Sequence, residues 1–332
     1  MAFVGSFRAC YRPFVPAQVS DICDNAALNV LKRTRRVPVR IPGNSSDPEV
    51  GISYAEFGQT HPGAPTIVLI HGFDSSLVEY RRLAPLLDDF RVLLIDLHGW
   101  GFTEKPRGLD YGPESKRLYA ISTIQKLVNE GEKVYIGGAS LGGGAALDLA
   151  HFRPDLFKGI ILIDAQAYVE GSPGSSLIWP LDVLGIQVLK AKFLRRFASV
   201  QSYYNSEKFA TEDAMLVGRL PCLTDGWFEA NLDFLKSDGY RNKSKVKEIS
   251  QEALIIWGRQ DKILSVESVD LFKEDLGERL VSCHILEECG HMPHLEKPDE
   301  TAELIRKFVH TIEGKEQPSS VVDEPISSQI DA

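Results

Sequence analysis

Residues 137–144 read GGASLGGG, one hydroxyl set among residues with almost no side chain. The run before it, VYIGG (134–138), has the short apolar character of a strand, and LGGGAALDLA (141–150) begins a helix, which leaves Ser140 on the turn between them. So sharp a turn holds the serine backbone in a strained conformation. Gly138 and Gly142 come so close together there that any Cβ would clash. The hydroxyl projects at the carboxyl edge of a sheet, and the helix that follows points its unpaired amides and positive dipole end at charge formed there. This is the G-x-S-x-G pattern of a nucleophile elbow. Neither a Walker lysine nor dinucleotide spacing accompanies the glycines, so they are not a phosphate cradle, and no cofactor is expected.

Working outward, TIVLIHG (66–72), RVLLIDLHG (91–99), GIILIDA (159–165), ALIIWG (253–258) and RLVSCHIL (279–286) repeat the continuous apolar run of a strand buried on both faces. Helical segments separate most of them. Alternating RVPVRIP (36–42) and VGISYAEFG (50–58), joined by GNSSDPE, predict an opening β-hairpin. The expected fold is therefore α/β, a mostly parallel eight-stranded sheet flanked by helices. Between 169 and 246 no strand pattern occurs, and this stretch is expected to be an inserted helical lid. The organisation predicted is an N-terminal arm at 1–35, core at 36–168, lid at 169–246, core again at 247–312 and a disordered acidic tail at 313–332.

Composition bounds the function. Of 332 residues, 46 are acidic and 37 basic, a net charge of -9, which argues against a nucleic-acid partner. Five cysteines with no CxxC pair and no zinc-like spacing read as reduced thiols, and no metal site is expected. No apolar run reaches the length of a spanning helix. The first twenty residues hold Arg8 and Arg12 but no acid, the composition either of an organelle transit segment or of a short loose arm in a cytoplasmic protein. No obligate protein partner is evident.

Two further loops supply partners for the serine. WGRQDKI places Asp261 just past a strand and CGHMPH places His291 after the next, giving Ser140, Asp261 and His291 in the chain order that a nucleophile elbow on such a sheet requires. His291 would take the serine proton while Asp261 fixes the imidazole tautomer. HGF (71–73) offers the Phe73 amide as an oxyanion donor beside the Leu141 amide. Asp164, ending LIDA, is an alternative acid or a turn cap. Asp74 either braces the oxyanion loop or faces the pocket, and bracing is preferred. His294 is assigned to packing or to supporting the site from behind, and Asp96 and His71 to holding turns.

With these residues the chain resembles the α/β-hydrolase superfamily over roughly 50 to 312. More narrowly, it is similar to a plant and algal plastid group through HGFDSS, GWGF, SKRLY, LIDAQAYVEG, VGRLPCL, SDGY, LIIWG and CGHMPHLEKP. That group includes a plastid hydrolase associated with release of the prenyl alcohol of chlorophyll for tocopherol synthesis, so the resemblance implies a prenyl ester substrate and a chloroplast location. The chain departs from the group where Ala139 stands for an expected proline, Arg259 and Gln260 for an acidic pair, and Trp227 followed by Phe228 for paired tryptophans. These differences bear on the pocket, for which Trp179, Leu184 and Trp227 are the predicted lid contributions. SSLIWPLDVLGIQVLKAKFLRRF (175–197) either covers an apolar pocket, rests on a membrane surface or is simply the packed inner face of the lid.

The leading expectation is a serine hydrolase cleaving an apolar carboxylic ester through an acyl-enzyme. A carbon–carbon bond hydrolase or lyase of the same fold, and a small-molecule receptor retaining the triad, are the alternatives. Epoxide hydrolases and dehalogenases carry Asp where this chain has Ser140.

Overall fold

A strand whose every residue is apolar must be covered on both faces, and the runs read above are arranged so. The computed structural model describes residues 12–41, 48–59, 63–169 and 187–314. Its strands are β1 (Arg35–Val39), β2 (Val50–Gly58), β3 (Thr66–Ile70), β4 (Arg91–Ile95), β5 (Val134–Ala139), β6 (Phe157–Ile163), β7 (Glu252–Gly258) and β8 (Leu280–Leu286). They form one sheet in the order β1-β2-β4-β3-β5-β6-β7-β8. The pairs β1/β2 and β2/β4 are antiparallel and all others parallel.

The longer helices are α1 (Asn25–Arg33), α2 (Pro113–Leu127), α3 (Leu141–Phe152), α4 (Lys192–Ser202), α5 (Glu212–Arg219), α6 (Trp227–Lys236), α7 (Ser268–Leu276) and α8 (Pro298–Ile312). The period of two along the strands divides the core. Ile67, Leu69, Leu254 and Ile256 pack on one face with Ile305 and Phe308 of α8, whereas Val68, Ile70, Ala253 and Ile255 pack on the other with Ile124 of α2 and Phe272 of α7. Because β3 to β8 run parallel, the loops after β3, β5, β6, β7 and β8 all open at one edge. Those loops begin with the segments holding Phe73, Ser140, Asp164, Asp261 and His291.

Two boundaries differ from the sequence reading. The predicted arm is folded over its second half. Asp24 caps α1 by accepting from the amides of Ala26 and Ala27 at 2.9 and 3.2 Å, and Ala27, Val30 and Leu31 are fully buried in the core. The amphipathic period of α1 gives it an apolar face to bury, and Arg81 anchors the cap through a 2.8 Å ion pair with Asp24. At the other end Glu313, assigned to the tail, accepts from the Tyr135 hydroxyl at 2.8 Å and from Lys158 Nζ at 2.6 Å. Residues 1–11 and 315–332, with the rest of the predicted transit segment and tail, lie outside the described residues, as does the connection between β1 and β2 over 42–47. Between β6 and β7 the described residues form α4, α5, α6 and short turns, with no strand.

Candidate active site

Ser140 sits between β5 and α3 with φ 53° and ψ -123°, a conformation side chains rarely adopt. Its surroundings over-determine it. The Ser140 amide donates to the Ile163 carbonyl at 3.0 Å, and its carbonyl accepts from the amides of Gly143 at 3.0 Å and Gln166 at 2.9 Å. The flanking glycines have steric causes: a Cβ on Gly138 would lie 2.2 Å from the Gly142 carbonyl, and one on Gly142 would lie 2.2 Å from the Ile70 carbonyl of β3. The elbow is thus pressed against the strand that leads into the Phe73 loop.

A cavity of about 360 Å³ opens beside it, lined by Gly72, Phe73, Ser140 and His291, with Met215 and Leu295 among its apolar walls. His291 is buried, and its Nδ1 donates to Asp261 Oδ2 at 2.7 Å. The other Asp261 oxygen accepts from the amides of Ile263 and Leu264 at 2.7 and 3.1 Å. Burial works to raise the Asp261 pKa, but the hydrogen bond and charge of His291 outweigh it and hold the group below the ordinary carboxylate value. Asp164 is fully buried one strand away, with its Oδ1 accepting from the Gly258 amide at 3.0 Å. Burial, and then the Asp261 charge, push its pKa well above 3.8, which favours the protonated carboxyl there. Among the described residues, Asp164, Asp261 and His291 are the group that could share a cation, their polar atoms all lying within 4.8 Å of one another. His291 Nδ1 is already committed to Asp261, which leaves its Nε2 as the ring atom open to the cavity side.

The arrangement brings Ser140, His291 and the Phe73 loop onto one cavity wall, with Leu141 heading α3 directly behind the serine. Asp74 does both of the things weighed for it: it lines the cavity, and its carboxylate accepts from Trp227 Nε1 at 2.6 Å and from Arg195 Nη2. Here the structure corrects the pocket assignment of Trp227. Trp227 is 2% exposed and absent from the cavity lining, its indole N–H committed to Asp74. Trp179 and Leu184 lie outside the described residues. Leu189, Leu194 and Arg195 are insertion residues on the wall instead, beside Met215.

His71 and Asp96 hold turns. The His71 ring accepts from the Leu97 amide at 3.2 Å and donates Nδ1–H to the Gly72 carbonyl at 2.8 Å, and Asp96 accepts from the amides of Leu77 at 2.6 Å and Phe102 at 2.8 Å. Gln260, one of the departures, clamps the His291 loop through reciprocal bonds with Cys289, at 2.9 Å from its amide and 3.1 Å to its side-chain oxygen.

Three residues escaped the sequence reading. Glu296 accepts from the Gly290 amide at 2.7 Å and from the amides of Tyr204 and Asn205 at 3.0 and 3.2 Å, tying the insertion to the His291 loop. Glu79 accepts from the Gly72 amide at 3.1 Å and faces His294 Nε2 at 3.3 Å. Burial opposes its ionisation, but His294 holds its pKa below 4.5. Tyr80, beside it, bonds to both strands under the elbow. LVEY has no motif to announce it. Glu296 follows His291 by five residues within HMPHLE, the one local hint.

Residues 67–304 match the alpha/beta hydrolase family. The chain belongs to that family. It is 31% identical over 302 residues to the Arabidopsis thaliana alpha/beta hydrolase domain-containing protein VTE7, covering 89% of each chain. It is 28% identical to the 2-hydroxy-6-oxononadienedioate/2-hydroxy-6-oxononatrienedioate hydrolase of Cupriavidus pinatubonensis, over 70% of this chain and 82% of that one. Among solved structures, a thermophilic esterase from Thermogutta terrifontis shares the fold with a TM-score of 0.68 at 18% identity, covering 84% of this chain and 99% of the esterase. An eight-stranded α/β-hydrolase sheet is therefore the setting of this cavity.

Proposed function

We propose that the protein is a serine hydrolase that cleaves a carboxylic ester of an apolar substrate, with a prenyl ester such as phytyl as the preferred class. The observation that carries this reading is the 2.7 Å His291–Asp261 bond on the wall of the cavity onto which the strained elbow presents Ser140. In the reaction His291 Nε2 takes the Ser140 proton as the oxygen attacks the ester carbonyl, and the amides of Phe73 and Leu141 receive the negative charge. The alcohol leaves with the proton from His291. Water, deprotonated by the same ring, then releases the acid and restores Ser140.

The apolar wall supports an apolar substrate. Each methylene buried there contributes about 0.8 kcal/mol, so a few isoprenoid carbons correspond to about a hundredfold in kcat/KM over an acetate ester. Purified protein given phytyl and acetate esters in detergent micelles should show that preference; equal or inverted values leave only a generic esterase. The similarity to a carbon–carbon bond hydrolase favours one competing reaction, cleavage of a 2-hydroxy-6-oxo-dienoate. Turnover of such a dienoate without ester hydrolysis would select it.

Phe193 and Phe197, 71% and 59% exposed one turn apart on α4 beside Lys192 and Arg196, support contact of this helix with a lipid surface from which such an ester is drawn. The acid-free first twenty residues support delivery to the chloroplast. A fusion of residues 1–50 to a fluorescent protein should enter plastids; retention in the cytosol counts against it.

A further inference from the structure

Successive amides of a strand point to opposite neighbours. At the end of β5 the Ser140 amide reaches β6, donating to the Ile163 carbonyl at 3.0 Å, so the Ala139 amide must seek its acceptor on the β3 side. There the strand pairing stops at the row Ile70 and Gly138, because β3 ends and the chain turns off through His71 and Gly72. The buried Ala139 amide would be an orphan, at a cost that buried donors seldom bear. Tyr80, fully buried, fills the gap. Its hydroxyl accepts from the Ala139 amide at 2.9 Å and donates to the Ile70 carbonyl at 2.6 Å.

We propose that the Tyr80 hydroxyl is a positioning group that extends the β3–β5 ladder by one rung and so fixes Ser140 against the oxyanion loop. The neighbouring Glu79 holds the Gly72 amide of that loop at 3.1 Å, so one two-residue segment grips both halves of the site. Burial, and then the Glu79 charge, push the Tyr80 pKa well above 10.0, which keeps the hydroxyl protonated and able to donate to Ile70. Ala139 takes part through its N–H, which a proline at that position would lack.

This inference rests on Ser140 being the nucleophile, and the test separates the two. Tyr80→Phe removes the hydroxyl, Ala139→Pro removes the donor from the other side, and the double variant removes both. Fluorophosphonate inactivation rates, kcat and KM for a p-nitrophenyl ester, and Tm are measured for each. Both single variants should slow inactivation and kcat about tenfold with KM nearly unchanged, as a misplaced nucleophile does, and the double variant should be no slower than either, since all three break one link. Tm should fall in Tyr80→Phe and partly recover in the double variant, where no N–H is left orphaned, while the rate does not recover. Independent, multiplying losses, rates that track Tm, or unchanged rates overturn the positioning role. Wild-type protein that takes no label at Ser140 overturns instead the hydrolase reading beneath it.

Discussion

Ser140→Ala is expected to abolish covalent labelling by a fluorophosphonate and to lower kcat by about 10⁶-fold, the loss that accompanies removal of a nucleophile acting as one unit with its base. The fold should persist. Alanine suits the φ 53° elbow no worse than serine, and the bonds that hold the turn run through the backbone amide and carbonyl of residue 140, which the substitution leaves in place. Labelling by mass spectrometry, with Tm as the control, decides the matter. A Ser140→Ala protein that is labelled as fast as the wild type would remove the nucleophile assignment, and the acyl-enzyme with it.

The second large effect separates two buried carboxyl groups at the same sheet edge. Asp261→Asn should reduce kcat by about 10⁴-fold, because an amide facing Nδ1 favours the wrong imidazole tautomer and leaves the imidazolium without its counter-charge. Asp164→Asn should leave turnover close to wild type, since an amide keeps both the shape of the carboxyl group and the acceptor for the Gly258 amide. Its signature lies in stability. The unfolded chain loses the Asp164 proton near pH 3.8 whereas the folded chain retains it to much higher pH. Across that window the native state binds more protons, so the wild-type contribution to stability declines as pH rises. Asp164→Asn should remove this decline, giving a Tm gain over wild type that grows from acidic to alkaline buffer. Activity lost in Asp164→Asn and kept in Asp261→Asn would make Asp164 the acid.

These two aspartates mark where local pattern stops being informative. Both follow apolar strands, LIDA and IIWGRQD, and nothing in either string says which faces the imidazole. The structure distinguishes them by their partners, with Asp261 Oδ2 at 2.7 Å from His291 Nδ1 and Asp164 Oδ1 held by the Gly258 amide. Trp227 is a similar case. Its aromatic bulk in an insertion fits a pocket wall, but its indole N–H is claimed by Asp74, 153 residues earlier in the chain.

The amino-acid sequence by itself determined the strands, the parallel arrangement of most of them and the order of Ser140, Asp261 and His291. Each of those properties is local: a doubly buried strand must be apolar at every position, and a turn as tight as the elbow admits only glycine at Gly138 and Gly142. Only the tertiary structure decided that residues 25–33 belong to the core, that Asp74 clasps the insertion, and that Glu79 and Tyr80 join the Gly72 loop to the elbow. Those outcomes depend on which buried donor meets which acceptor across the sheet. A single carboxylate or hydroxyl has no periodicity of its own, so its partner is settled only when burial leaves it one group within hydrogen-bonding reach.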